Sequence, residues 1–288
     1  MTSRDERGDH AVTVVTHDGA FRVIALRTTE TARGVIAAQG ATGKTAEHLA
    51  NVVTGTILVR LTMAPSYRVQ GIVRGKDGKT MLLADAYPDG RTRGLLRPPG
   101  APVEFGQGAL MQVMRSLANG TSHEGVVEVT LEHGVEGALM TYMLGSEQVT
   151  SAIGVGAVRT DAGIAIAGGY IVQLLPECTD PPLAVMYERL RTDFPDHAAT
   201  LTKFAGDPRA ILSEILYGMP YAETQAEQAL GFGCRCSAER ILAGLATISK
   251  ADLEDMLRAG EPLFITCDYC STPYEVGPEA LRGLITAS

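Results

Sequence analysis

Several features that mark other protein classes are missing from this chain of 288 residues. It has no run of about eighteen apolar residues, so we expect no membrane-spanning helix. Residues 1–10 are mostly polar or charged and include no apolar core of a signal peptide, so we expect a frayed start and no secretory signal. Without export, the predicted location is the cytoplasm. That compartment is reducing, and cysteines there rest as thiols or metal-bound thiolates rather than as disulfides.

Excess positive charge is also missing. The chain has a net charge of −8, which makes it a poor partner for a polyanion, so we expect no nucleic acid partner. It has no Gly-x-Ser-x-Gly motif and no cysteine–histidine pair in a credible catalytic context, so we expect no enzyme of the hydrolase class. The histidines show no paired spacing of the kind that binds metal; they are His10, His17, His48, His123, His133 and His197.

What the chain does have is enough apolar sequence, 45%, to build a core. Short β-rich runs separated by turn residues alternate with helical periodicity, which predicts an α+β domain of antiparallel sheet and helices over residues 1–176, ending at Pro176. Strands are predicted at 12–16, 21–26, 68–74, 80–85, 92–96, 126–131, 157–160, 164–167 and 170–175, and helical stretches over 30–63 and 135–147.

The next segment, 177–231, shows no obvious strands. Pro181-Pro182 and Asp207-Pro208 each open a short amphipathic stretch, a pattern typical of helix starts. Short helices with a narrow apolar stripe bury little surface alone. We therefore predict a helical linker, the least stable part of the chain.

Residues 232–288 hold four of the five cysteines in two close pairs: Cys234 with Cys236, and Cys267 with Cys270. Two such pairs can form a tetrahedral four-sulfur cage, which suits zinc. The one-residue spacing of the first pair is unusual for structural zinc, and each pair could also close a strained disulfide on itself. The residues leave both possibilities open. A module this small needs more than its apolar core, so metal is expected to supply the missing stability.

One motif competes with this interpretation. Residues 38–45 fit a relaxed phosphate-loop pattern that ends in Gly43-Lys44-Thr45. Such a loop needs a strand before it and a helix after it. The stretch before residue 38 favours helix instead, so the simpler interpretation is that Thr42 caps a helix while Gly40 and Gly43 break the preceding one.

The residues Phe232-Gly-Cys-Arg-Cys-Ser-Ala-Glu-Arg240, followed by Cys267-Asp-Tyr-Cys270, resemble the C-terminal signature of the heat-shock protein 33 family of redox-regulated holdase chaperones. Strings at 68–71, 146–148 and 167–176 resemble the same family, so the resemblance covers most of the chain. The first ten residues or so match nothing in the family. Cys178 is outside the signature, and its role stays open.

The resemblance implies that the four cysteines hold one zinc per chain as thiolates in a reduced, inactive protein. It implies that oxidants, aided by unfolding stress, form the disulfides Cys234–Cys236 and Cys267–Cys270 and release the zinc. The module then unfolds, the linker loses its support, and apolar surface binds unfolded or oxidatively damaged clients without ATP. Oxidised members of the family form homodimers.

Two alternatives of other classes remain. A zinc-ribbon adaptor would need a basic or aromatic face. A thiol–disulfide oxidoreductase using Cys267 and Cys270 would need its first cysteine at a helix start, but residues 271–273 predict a turn. The basic residues of the module are few and stand among acids; they include Arg235, Arg240, Lys250 and Arg258.

Overall fold

The computed structural model describes residues 8–117, 119–176 and 178–287. Most of the start predicted to be frayed lies outside these residues. The chain forms two compact units, the first ending at Phe232 and the second beginning at Gly233. Antiparallel sheets and helices build them, so the α+β prediction is confirmed. The division into domain, linker and module at residues 176 and 231 stays a prediction.

The first unit contains most of the strands and the longest helix. In chain order its elements are β1 (His10–Thr16), β2 (Phe21–Arg27), α1 (Thr29–Gln39), α2 (Gly43–Thr62), β3 (Arg68–Arg74), β4 (Met81–Ala86), β5 (Arg91–Arg97), β6 (Leu110–Ser116), β7 (Ser122–Glu128), α3 (Gly134–Gly145), β8 (Ser151–Thr160), β9 (Gly163–Leu174), α4 (Asp180–Asp193), α5 (His197–Lys203), α6 (Pro208–Ile215), β10 (Tyr221–Glu223), β11 (Gln228–Ala229) and β12 (Gly231–Phe232).

The second unit is smaller. Its elements are α7 (Ala238–Leu245), α8 (Lys250–Arg258), β13 (Leu263–Thr266), β14 (Pro273–Val276) and α9 (Pro278–Ala287). The two strands form an antiparallel hairpin in which Thr266 lies opposite Pro273. A short apolar cluster, centred on Leu253 and Leu281, is buried between the helices and this hairpin. So few buried side chains contribute little burial free energy.

Two six-stranded sheets form the framework of the first unit. One has the order β10-β1-β2-β9-β8, with β11 also paired to β1, and is antiparallel throughout. The other has the order β12-β5-β4-β3-β6-β7, a meander to which β12 adds the single parallel pairing. The predicted meander over residues 68–96 is therefore present, and β6, which was not predicted, continues it on the far side of β3.

Helix α2 occupies the centre of the main core, packing against β3 and β4 from one sheet and β8 and β9 from the other. Residues 52–61 are all buried, because the apolar side chains of this stretch surround the helix rather than forming one stripe. The helical stretch predicted over 30–63 is two helices, since Gly40 adopts a left-handed φ of 62° that ends α1.

The helices α4, α5 and α6 lie in the first unit and pack on the first sheet. Met186, Phe194 and Ile211 contact a cluster that includes Val23 and Tyr170. Their narrow apolar stripes are thus buried against strands, as short amphipathic helices require. No helix in the described ranges has both the length and the apolar character needed to cross a membrane.

The expectation that residues 177–231 hold no strands is wrong at the end of that range. The segment 221–232, which we call the edge segment, pairs with β1 through β10 and β11 and then with β5 through β12. It therefore joins the borders of both sheets. Strands of two or three residues are too short to show alternation in sequence, and they exist because β1 and β5 offer unpaired backbone groups. The predicted strand at 126–131 is also displaced: β7 covers Ser122–Glu128.

Candidate metal centre

Two loops carry the four clustered cysteines of the second unit. Cys234 and Cys236 precede α7, whose first turn is capped by the Ser237 hydroxyl accepting from the Arg240 backbone N–H. Cys267 and Cys270 lie in the tight turn between β13 and β14. The turn is closed by the Ser271 N–H donating to the Cys267 carbonyl, at 2.9 Å.

The four sulfurs converge on one point. All four Sγ atoms lie within 4.8 Å of one another. Cys234 Sγ is 3.8 Å from Cys267 Sγ, and Cys236 Sγ is 3.4 Å from Cys270 Sγ. A tetrahedral metal with bonds of about 2.3 Å would separate its sulfurs by about 3.8 Å. All four are reduced, with no disulfide bond between them. The cluster is therefore positioned to bind a metal ion, and its donors fit a soft, four-coordinate one.

Hydrogen-bond donors surround the sulfurs. The Tyr274 hydroxyl donates to Cys236 Sγ at 3.0 Å, and the Thr272 hydroxyl lies 3.2 Å from Cys270 Sγ. Backbone N–H groups of Tyr269 and Cys270 point at the sulfur of Cys267. Such donors orient metal-binding thiolates and spread their negative charge. Sequence reasoning missed Thr272 and Tyr274; their position just after the second cysteine pair was the available signal.

The metal-free thiols ionise unequally. Burial raises the pKa of Cys236 to about 12 and also raises that of Cys267. At Cys270 burial acts in the same direction, but hydrogen bonds from the side chain and backbone of Thr272 outweigh it, and the pKa falls to about 7. A full set of four thiolates at neutral pH therefore needs the positive charge of a bound metal, which couples metal binding to proton release.

Cys178 is not part of the four-sulfur cluster. It lies in the first unit and packs against the apolar cluster between α4–α6 and the first sheet. Its thiol donates to the Thr179 carbonyl at 3.4 Å. Burial, followed by the charges of Asp18 and Asp180, raises its pKa, so it is a weak nucleophile.

The phosphate-loop alternative is wrong. Helix α1, rather than a strand, leads into residues 38–45. Thr42 is the residue before α2, as predicted, but its side chain makes no capping hydrogen bond. The Lys44 ammonium is 2.7 Å from the Glu47 carboxylate. Residues 271–273 start no helix, which agrees with the prediction, although the turn itself lies at 268–270: Cys267 directly follows β13, and Pro273 begins β14.

Known proteins resemble this chain along almost its whole length. The family model described as Hsp33 protein matches residues 9–277. The 33 kDa chaperonin of Syntrophotalea carbinolica is 29% identical over 289 residues, which cover 96% of this chain and 99% of that protein. The 33 kDa chaperonin of Symbiobacterium thermophilum is 30% identical over 245 residues, covering 80% of this chain and 81% of its own.

A solved structure shares the architecture. The crystal structure of the 33 kDa chaperonin (heat shock protein 33 homolog) from Thermotoga maritima has a TM-score of 0.80 to this chain, at 20% sequence identity. The likeness covers 96% of this chain and 98% of that one, and it shows the common fold. Together with the family match from residue 9 to residue 277, these relatives establish that the chain belongs to the Hsp33 family of chaperones.

Proposed function

We propose that the chain is a redox-regulated, ATP-independent holdase that binds unfolded or oxidatively damaged proteins under oxidative stress. The observation that carries this proposal is the set of four thiols within 4.8 Å of one another, in a unit with a small apolar core. One zinc per chain, held by Cys234, Cys236, Cys267 and Cys270, suits this all-sulfur donor set.

Metal binding would provide much of the folding free energy of the second unit. Zinc contributes about 10–16 kcal/mol to zinc-finger peptides at neutral pH, far more than this unit's few buried side chains can supply. Loss of the metal would therefore unfold the unit, and the reduced, zinc-bound protein is the inactive state. This coupling lets a chemical change at four sulfurs alter the fold.

Oxidation supplies that change. Each of the disulfides Cys234–Cys236 and Cys267–Cys270 forms as two thiolates together give two electrons to an oxidant such as a peroxide, which is reduced to water. A disulfide sulfur is a poor ligand for zinc, so the metal leaves as the bridges form. The bridges join neighbours in sequence and cross-link nothing else, which leaves the rest of the unit free to open.

The edge segment connects this event to client binding. Phe232 is followed two residues later by Cys234, so unfolding of the second unit would free one end of a segment that covers the borders of two sheets. Its release would expose the backbone edges of β1 and β5 and the core surface against which Tyr221 and Phe232 pack. The first unit already exposes other apolar side chains, such as Tyr187 and Tyr217. We propose that this surface binds clients and that the oxidised chains form a homodimer. The acidic chain would act in the cytoplasm, without catalysis and without binding nucleic acid or membrane.

Three measurements on one preparation test the proposal: zinc content, free thiols and suppression of aggregation of a thermally unfolding client enzyme. Reduced protein should carry one zinc and five free thiols and suppress little aggregation. After peroxide at elevated temperature it should have lost zinc and four thiols and should suppress aggregation. The Cys178→Ser variant should behave identically but with one thiol fewer. Suppression that is equal in reduced and oxidised protein would contradict the redox switch.

A further inference from the structure

A second candidate site lies in the first unit, where α2 and α3 begin. These helix starts and the loop that holds Val103 and Phe105 enclose an open cavity of about 680 Å³. That volume falls within the range of about 300–1,000 Å³ found for small-molecule sites. The holdase cycle proposed above makes no use of this cavity, although Lys44 and Thr45 of the former phosphate-loop candidate line it.

The lining of the cavity carries net negative charge, from four glutamates and two lysines. Both lysines are paired: Lys44 with Glu47 at 2.7 Å, and Lys76 with Glu104 at 2.5 Å. The carboxylate of Glu136 makes no ion pair and no hydrogen bond to another side chain among the described residues, although its own backbone N–H donates to it and His133 attracts it electrostatically. The site is therefore unsuited to a phosphate, and Glu136 is left without a paired cation.

Glu136 lies in the first turn of α3 and is partly buried. Burial raises its pKa above the usual value, which means that its charged form is poorly solvated. The carboxylate lies over Gly134, where a Cβ would be 3.2 Å from Glu136 Oε2. A carboxylate left in such a place gains from any cation that can enter and pair with it.

The wall opposite offers an aromatic face and a further acceptor. The rings of His48 and Phe105 stack, with centroids 4.0 Å apart and planes at 15°. His48 Nδ1 lies 3.1 Å from the Val103 carbonyl and therefore carries the ring proton, which leaves Nε2 as an acceptor. Asn51, three residues further along α2, also lines the cavity.

We propose that this cavity binds an alkylguanidinium group, such as that of arginine, with its charge on Glu136 and its carbon chain along the apolar lining. A guanidinium has five N–H donors for acceptors such as the Glu136 carboxylate and His48 Nε2, is weakly hydrated and stacks on rings, whereas an ammonium is compact and strongly hydrated. Val103 and Val135 provide buried apolar surface, and Leu131, 80% exposed, provides more at the rim.

The guanidinium could belong to a free arginine-type metabolite or to an arginine within an unfolded chain; in the second case the inference rests on the proposed holdase function. Calorimetry on the reduced, zinc-loaded full chain distinguishes the two. The ligands are N-acetyl-arginine amide, its lysine and citrulline counterparts, and a capped Leu-Arg-Leu tripeptide. Tighter binding of the tripeptide than of the amide identifies the unfolded chain as the source, and equal binding identifies the free molecule.

The Glu136→Gln variant tests the role of the charge, because glutamine keeps the shape of the side chain. We expect arginine to bind at least about tenfold more tightly than citrulline, and Glu136→Gln to weaken that binding about tenfold. The matched control is Glu128→Gln on the exposed surface of β7, which should bind as the native chain does. Equal affinities for the arginine and citrulline ligands would overturn the site. So would an arginine affinity in Glu136→Gln that equals that of the native chain.

Two readouts separate this inference from simpler explanations. If Glu136 served only the fold, Glu136→Gln would lower the melting temperature; we expect it unchanged or raised, since a poorly solvated charge is removed. If arginine binds but the oxidised chain suppresses no aggregation, the holdase proposal fails and the site stands. If aggregation is suppressed but arginine does not bind, only the site fails.

Discussion

The ring of Phe232 lies directly against the backbone of Gly34. A Cβ built on Gly34 would be 2.6 Å from Phe232 Cβ and 2.7 Å from the first ring carbon, closer than any side chain can approach. Helix α1 can therefore pack this closely against β12 only because residue 34 has no side chain. This contact fixes the end of the edge segment that lies nearest the cysteines.

We predict that Gly34→Ala loosens the edge segment. Alanine in a helix interior usually stabilises by about 0.5–1 kcal/mol relative to glycine, but here its methyl group must displace the Phe232 ring, and overpacking costs about 1–3 kcal/mol. The reduced variant should be cleaved by protease within 221–232 faster than the native chain. The variant should also begin to suppress aggregation at a lower temperature than the native chain does.

The matched control is Gly145→Ala at the end of α3, where an added Cβ meets no atom within 4 Å. This variant should be as protease-resistant as the native chain and as stable or slightly more stable. Equal resistance of Gly34→Ala and Gly145→Ala would show that the Phe232 contact does not hold the segment.

Removing one sulfur should disable the metal centre. With Cys267→Ser, three thiolates remain, zinc binding should weaken steeply, and the second unit should melt without unfolding the first. Metal analysis and hydrogen exchange would show this as less than one zinc per chain and lost protection in residues 233–287 alone. Cys178→Ser, whose sulfur is outside the cluster, should keep one zinc. Full zinc content in Cys267→Ser would exclude the four-sulfur cage.

The two disulfides should form in a fixed order. A bridge across two residues closes a less strained ring than a bridge across one, so Cys267–Cys270 should form first. Hydrogen bonds at Thr272 also favour the thiolate of Cys270, whereas burial disfavours that of Cys236. Peroxide time courses at low and high temperature, with alkylation and mass spectrometry, would map the bridges. A Cys234–Cys236 bridge in chains with Cys267 still free would reverse the order.

Acid should destabilise the first unit through His197. Its ring is partly buried against Tyr170, whose hydroxyl is 3.4 Å from Nδ1, and burial lowers its pKa below the usual 6.5. Below about pH 6.5 the unfolded chain then binds a proton that the folded chain does not, so the free energy of unfolding falls as pH falls. His48 acts in the same direction, and Glu136, with a raised pKa, acts in the opposite one.

Comparing the pH dependence of the unfolding free energy in the native chain and in a His197 variant isolates the contribution of this residue. His197→Gln should lose less unfolding free energy between pH 7.5 and pH 5.5 than the native chain, as measured by urea unfolding of the first unit at each pH. The other titrating groups are common to both proteins and cancel. Parallel pH profiles would show that His197 has the same pKa in the folded and unfolded states.

Local sequence signals predicted much of this architecture. The turn residues around Gly19 and Gly78 marked hairpins that form as expected, and cysteine spacing alone brought four sulfurs to one place. What the sequence did not reveal depends on partners distant in the chain. The edge segment is extended because its backbone pairs with the border strands of two sheets. Its own few residues show no alternation of apolar and polar side chains that would predict a strand.

The same limit applies to the cavity and to the sulfur partners. His48 on α2 stacks with Phe105 in the loop after β5, although three strands separate them in sequence, and neither residue's neighbours indicate the other. Tyr274 reaches Cys236 only because β14 folds back beside β13. The break between α1 and α2, by contrast, was predicted from Gly40 and Gly43, because glycine is the usual residue where a helix ends.

The strand order of the first sheet has a consequence for biosynthesis. The hairpin of β1 and β2 leaves the ribosome before the other strands of its sheet, yet Phe21 pairs with Leu174, which lies more than 150 residues later. At about 5–20 residues per second, the hairpin waits on the order of ten seconds for that partner, and β1 waits longer still for β10. During this interval the apolar strands of the nascent chaperone are themselves open to aggregation.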